Sequence, residues 1–214
     1  MGRNANYREH YRQMHIPRAY SGAGHLLFIL VFAIGGVAVA ASQLESVTAL
    51  EWLTVPIAFL YANLVEYAGH RWVMHRPVRG LGLIFHRHTH QHHRFFTSHF
   101  MAMDSRLDFR AVLFPPLLMV FFFGAFALPV GILLALLFSA NVAWLFVITA
   151  LAYYLNYELL HLAYHLPEYS RWFALPGLKT LRRLHHAHHE PAVMSHRNFN
   201  ITYPIFDLLF GTRA

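Results

Sequence analysis

Along the chain, long apolar runs alternate with polar segments that hold nearly every charge. Residues 1–22 are polar and basic, with Arg3, Arg8, Arg12 and Arg18 interleaved with Tyr7, Tyr11 and Tyr20, the composition of an interfacial arm. From about 24 to 41 the run HLLFILVFAIGGVAVAA carries no formal charge. It approaches the ~20 residues that cross about 30 Å of hydrocarbon, which predicts a first span. SQLESV (42–47) turns the chain, and a second span follows over 49–67, continuing as helix towards His75 until Pro77 and Gly80 end it. Residues 76–110 are polar and rich in arginine and histidine. The next apolar stretch, 111–155, is too long for one crossing, and LPVG (128–131) predicts a tight turn within it. Two more spans result, 111–128 and 132–155. The last helix runs on to His165, roughly 50 Å at about 1.5 Å per residue, so its final turns outreach the bilayer. Pro167 stops it. The tail to Ala214 is polar again and contains an amphipathic piece, YSRWFALPGLKTL (169–181), whose Trp172, Phe173 and Leu175 suit the headgroup region. The expected fold is all-α: one domain, 1–214, made of a four-helix transmembrane bundle and a histidine-rich helical cap from 68–110 and 156–214.

Composition strengthens this reading. Hydrophobic residues make up 57% and charged residues 13%, against about 25% charged in a typical soluble domain. The formal charge of +7 would suit nucleic acid only with a basic, aromatic-studded face; here the cations flank apolar spans instead. All 17 lysines and arginines fall in the arm, the middle segment and the tail, and none in the two remaining loops. Four spans with both termini and the cap in the cytoplasm satisfy the positive-inside rule, at a bacterial inner membrane or the endoplasmic reticulum. About twenty polar and aromatic residues precede the first span, so it reads as a span that stays and not as a secretory signal. Asn6 stands where myristoylation of Gly2 prefers Ser or Thr. The chain has no cysteine, which excludes disulfides and thiolate metal sites and leaves nitrogen and oxygen as metal ligands.

Histidine supplies the candidate chemistry. FHRHTHQHHRFF (85–96) holds five, His86, His88, His90, His92 and His93; His70 and His75 precede it, and His161/His165 and His185/His186/His188/His189 follow the last apolar run. Neutral imidazole is a borderline-soft ligand for zinc, copper, iron and nickel. On a helix His161 and His165 share a face, as do His185, His188 and His189, while His186 points elsewhere. His70 and His75 lie five apart, an awkward spacing for an α-helix but workable at its end. In the central run, periodicity allows either a stripe of His86, His90 and His93 or a pair of His88 and His92. His10, His15, His25 and His99 read as interfacial polar residues, and Asp104 and Asp108 as solvated or arginine-paired.

The set HxxxxH, HxxxHH, HxxxH and HxxHH, spread over four apolar spans, resembles the fatty acid hydroxylase and sterol desaturase superfamily of integral-membrane di-iron oxygenases. The tail NFNITYPIFDLLFGT (198–212) is similar to the family's closing signature, with Asn200 where glycine is usual and Phe206 where tryptophan is usual. In the central run the resemblance selects His88, His92 and His93. It implies ten ligands, namely His70, His75, His88, His92, His93, His161, His165, His185, His188 and His189. It further implies two iron ions, replaceable by zinc, with O2 as co-substrate and hydroxylation or desaturation of a fatty acyl, sterol or isoprenoid chain. Glu66 and Glu158 would be orienting carboxylates beyond the ligands; Glu158 also forms a Glu-x-x-His pair with His161, the ligand pattern of soluble di-iron bundles. With no electron-carrier domain in the chain, two electrons would come from a separate ferredoxin or cytochrome b5 type partner. A metal transporter is the rival reading, but it would place ionisable groups near the bilayer midplane, where these spans offer only Asn63 and Asn141. A haem carrier needs one facing histidine pair per haem, and ten clustered histidines exceed that.

Overall fold

A computed structural model describes residues 2–214. Its α-helices are α1 (Gly2–His15), α2 (Gly22–Ala41), α3 (Thr54–Gly69), α4 (Gly82–Phe85), α5 (His93–Phe95), α6 (Phe109–Val112), α7 (Pro116–Phe122), α8 (Leu128–Leu137), α9 (Ala140–Tyr164), α10 (Leu178–His188) and α11 (Ile205–Leu209). Three π-helical segments, His70–Met74, His86–His92 and Phe123–Ala127, adjoin them. Among the described residues no strand forms beyond one isolated bridge, Thr97 to Phe100. Three helical stretches are long and apolar enough to cross a membrane: Gly22–Ala41, Arg106–Leu137 and Ala140–Tyr164.

The chain divides into two compact units. One comprises the residues up to Gly22, Asn63–Leu113 and Leu159–Ala214; the other comprises Ala23–Ala62 and Phe114–Glu158. The second unit is apolar on its outside as well as its inside. Leu27, Val31, Ile34 and Val39 of α2 and Leu133, Leu136 and Leu137 of α8 are all exposed. Its helices touch through aromatic and small residues: Phe32 meets Phe123, Phe123 meets Tyr154, and Phe59 meets Tyr153 edge-on. Gly36 lies so close to Leu151 that a Cβ there would come within 2.8 Å of its methyl group. At one end Asn141 exchanges hydrogen bonds with the backbone of Glu45, and Ser139 donates to Glu51.

The break expected at LPVG is not there. Pro129 lies in the first turn of α8, which continues the helix of α7 through the π-helical segment Phe123–Ala127. A π turn pairs a carbonyl with the amide five residues on, as the Phe123 carbonyl pairs with the Leu128 amide, and in that register the Ala125 carbonyl faces the amide of Val130 and not the missing N–H of Pro129. The chain turns instead at Phe138 and Ser139, where Phe138 leaves helical geometry and the Ser139 hydroxyl accepts from the Val142 amide to open α9. The helix expected from 132 therefore starts at Ala140, and its 25 residues span about 37 Å.

In the first unit α1 is a packed helix and not merely an interfacial arm: Tyr11 is fully buried and Arg8 nearly so. The amphipathic piece 169–181 is likewise not one helix. A 3-10 turn (Arg171–Ala174) is separated from α10 by Gly177, whose φ of 79° suits a residue without a Cβ. Phe173 is buried there while Tyr169, Trp172 and Leu175 are exposed.

Candidate metal centre

The awkward five-residue histidine spacing has a structural cause. His70–Met74 and His86–His92 are π-helical, and in that geometry residues five apart, not four, stack on successive turns. His70 therefore meets His75, and His88 meets His93, with Nε2 atoms 3.2 and 3.1 Å apart. The same winding leaves His86 and His90 exposed, their rings tilted against one another with centroids 5.6 Å apart. On α10 and its end, His185, His188 and His189 are buried while His186 is half-exposed.

Nine histidines fall into two groups whose facing ring nitrogens lie within 4.8 Å of one another. The first holds His70, His75, His88, His93 and His188; the second holds His92, His165, His185 and His189. His161 adjoins the second, with its Nε2 3.2 Å from that of His92. All ten are buried. His93 of the first group and His189 of the second stack with ring centroids 4.3 Å apart. A cavity of about 380 Å³ reaches these two rings past Thr89, Thr97 and Tyr7.

The outward nitrogens decide what the inward ones can do. Nδ1 of His70 donates to the Phe199 carbonyl, His188 to Arg197, His92 to Ala111, His165 to Met101 and His189 to Phe96. A carbonyl only accepts, so each Nδ1 carries the proton and each Nε2 of these neutral rings turns a lone pair inward. His92 and His189 thus face each other lone pair to lone pair at 3.2 Å. Protonation does not relieve this, because burial first of all pushes the rings down: His75 to about 2, His92 to about 3 and His188 to about 4. A cation does relieve it. Two nitrogens bound at right angles about 2.1 Å from an ion lie about 3 Å apart, and the neighbouring Nε2 pairs here are 2.9–3.2 Å apart. The residues fit two metal ions.

Glu66 and Glu158 both accept from backbone amides and hydroxyls. Glu66 accepts from the amides of Ile201 and Thr202 and from the Thr202 hydroxyl, and so holds the tail whose Phe199 carbonyl orients His70. Glu158 accepts from the Tyr154 hydroxyl at 2.6 Å and from the Phe114 amide. Asp207 gathers the tail signature, accepting from the amides of Phe199 and Asn200 and the Thr212 hydroxyl. The unusual Asn200 is fully used: its Nδ2 donates to the Asn63 carbonyl, and its Oδ1 accepts from the amides of Phe206 and Asp207. Asp104 and Asp108 are arginine-paired. His25 is not interfacial but buried, against the Phe114 carbonyl at 2.9 Å. His10, His15, His99 and His196 are exposed. Sequence reasoning did not find the carbonyls of Phe96, Met101, Ala111, Arg197 and Phe199, because a backbone acceptor carries no residue-type signal.

The family model for fatty acid hydroxylases matches residues 55–212. The chain belongs to the fatty acid hydroxylase family. In fold it is similar to a solved structure of full-length Scs7p in which only the hydroxylase domain is visible, with a TM-score of 0.59 and 20% identity. That match covers 88% of this chain, and this chain spans 64% of the Scs7p chain. A sequence search of curated proteins finds no match.

Proposed function

We propose that the protein is a multi-pass membrane hydroxylase that uses two histidine-bound iron ions, O2 and two electrons to hydroxylate a lipid chain. The balance is R–H + O2 + 2e⁻ + 2H⁺ → R–OH + H2O. The observation that carries this reading is the pair of buried groups of inward-facing Nε2 atoms within a family-matched chain. Bound iron would supply O2 activation. The chain's own residues do the rest: ten neutral imidazoles form the ligand sets, backbone carbonyls fix the tautomers of five of them, and Glu66 and Asp207 hold the tail that carries two of those carbonyls.

The distribution of cations supports a topology with both termini and the histidine unit in the cytoplasm, in which α2, α3, α7 with α8, and α9 would be the four spans. An acyl, sterol or isoprenoid substrate would enter from the bilayer, which the exposed apolar faces of the second unit suit. Electrons would come from a separate ferredoxin or cytochrome b5 type protein. The test combines elemental analysis of detergent-purified protein with lipid profiling of cells with and without the gene. Two metal ions per chain and loss of a hydroxylated lipid are the expected results. Folded protein with no bound metal, or an unchanged lipid profile alongside a metal-loaded protein, refutes the reading.

A further inference from the structure

The two histidine groups are oriented by different parts of the chain. In the first, the outer partners are the Phe199 and Arg197 carbonyls of the tail and, beside His75, the Thr89 hydroxyl. In the second, the carbonyls that hold His189, His165 and His92 belong to Phe96, Met101 and Ala111. All three lie in the segment 96–111, most of which has no long regular element to fix it.

That segment is gripped by α1 next to each of the three carbonyls. Beside Phe96, the buried Tyr11 packs edge-on against Phe95 at 5.2 Å, and the Arg8 guanidinium lies 4.6 Å over the same ring. Beside Met101, Arg8 donates to the Ala102 carbonyl at 2.9 Å. Beside Ala111, the Tyr11 hydroxyl donates to the Arg110 carbonyl at 3.4 Å. Between these points Arg12 holds Asp108 with a two-pronged contact, Nε to Oδ1 at 2.8 Å and Nη2 to Oδ2 at 2.9 Å, and reaches Asp104 at 2.6 Å. Asp108 is fully buried and also accepts from the amides of Asp104 and Ser105, so it ties the arginine fork to the turn of the segment. None of α1 falls within the family-matched residues 55–212.

We propose that α1 positions the second histidine group, with Arg12, Arg8 and Tyr11 setting how tightly that group alone holds its metal ion. The inference rests on the two-ion reading above. A ring whose Nδ1 partner drifts loses both its tautomer and its aim, and such outer partners are worth about 10–100-fold in metal affinity. Loosening the grip of Arg12, Arg8 and Tyr11 therefore weakens one site and leaves the other, whose outer partners are the Phe199 and Arg197 carbonyls of the tail and the Thr89 hydroxyl.

The experiment is metal stoichiometry on full-length, detergent-purified protein reconstituted with ferrous iron. Wild type should carry two ions per chain, and Arg12→Gln should fall towards one. In the Arg12→Gln background, His92→Ala should cause no further loss because both changes empty the same site, whereas His88→Ala should remove the remaining ion. Retention of two ions by Arg12→Gln, or equal loss of both from a chain with wild-type helicity, overturns the proposal. If Arg12→Gln does not fold, Tyr11→Phe removes the hydroxyl's bonds to the Arg110 carbonyl and to Arg87 while keeping the ring against Phe95. It should release one of two ions to a hydrophilic chelator several-fold faster than wild type, and equal release rates overturn the proposal. Wild type with fewer than two ions refutes the underlying two-ion reading, a separate outcome.

Discussion

The two units of this chain solve opposite problems. In the histidine unit much of the interior is polar: ten imidazoles, Asp108, Asp207, Asn198, Asn200 and Thr202 are buried, and many of the contacts that order them run between a side chain and a backbone group. In the other unit large apolar side chains face outward, with Leu136 78% exposed, and the helices meet through rings and glycine. The first arrangement is costly unless each polar group finds its partner, and a cation would supply one for the facing lone pairs of His92 and His189. The second is costly in water and at home in hydrocarbon. Metal therefore ought to matter to one unit's integrity and lipid to the other's, and the changes below test that division.

The largest effect should come from removing a ligand. His189→Ala should abolish turnover and lose metal, while His186→Ala, at a half-exposed ring, should stay within a few-fold of wild type. His88→Ala against His90→Ala should give the same contrast, read by metal content and product formation. Comparable tolerance at His88 and His90 would mean that the π-helical register does not direct the ligands.

Acid should strike the histidine unit before the apolar one. The rings of His75, His92 and His188 have folded-state values pushed below their ordinary 6.5, mainly by burial, so the unfolded chain binds more protons between those values. Their contribution is fully present above about pH 6.5 and is lost as pH falls below it. Dialysis at pH 5 should strip metal that dialysis at pH 7.5 retains, with the helices of the apolar unit unchanged by circular dichroism.

A smaller loss is expected from Glu66→Gln. It weakens the acceptor for Ile201 and Thr202 and should cost about 10-fold or more in activity or metal affinity. Asn200→Gly would restore the family's usual residue while deleting three hydrogen bonds, and should destabilise the chain by about 1–3 kcal/mol in chemical unfolding. The least effect belongs to the apolar face: Val31→Ala, at an exposed position of α2, should shift stability by no more than about 0.5 kcal/mol. A large loss there would mean that the face packs against something more specific than lipid.

What the sequence by itself determined is the part that depends on local period and residue type. Uncharged runs the length of a bilayer mark α2 and α9, Pro77 and Gly80 mark where the helix through His75 ends, and the spacing on α10 separates His186 from its neighbours. The turn at LPVG misled because proline breaks a helix only where its missing donor is needed, and a π segment upstream removes that need. The choice between His88 and His90 could not come from a 3.6-residue period, because the segment winds with a wider one. Only the tertiary structure decided which carbonyl faces each Nδ1, that α1 is bound to Asp108 and not merely lying at an interface, and that Asn200 has work for its amide. These contacts join residues from 9 to 137 positions apart, most of them beyond the reach of any local period. A backbone acceptor looks the same in every residue, so its role exists only once the chain has folded around it.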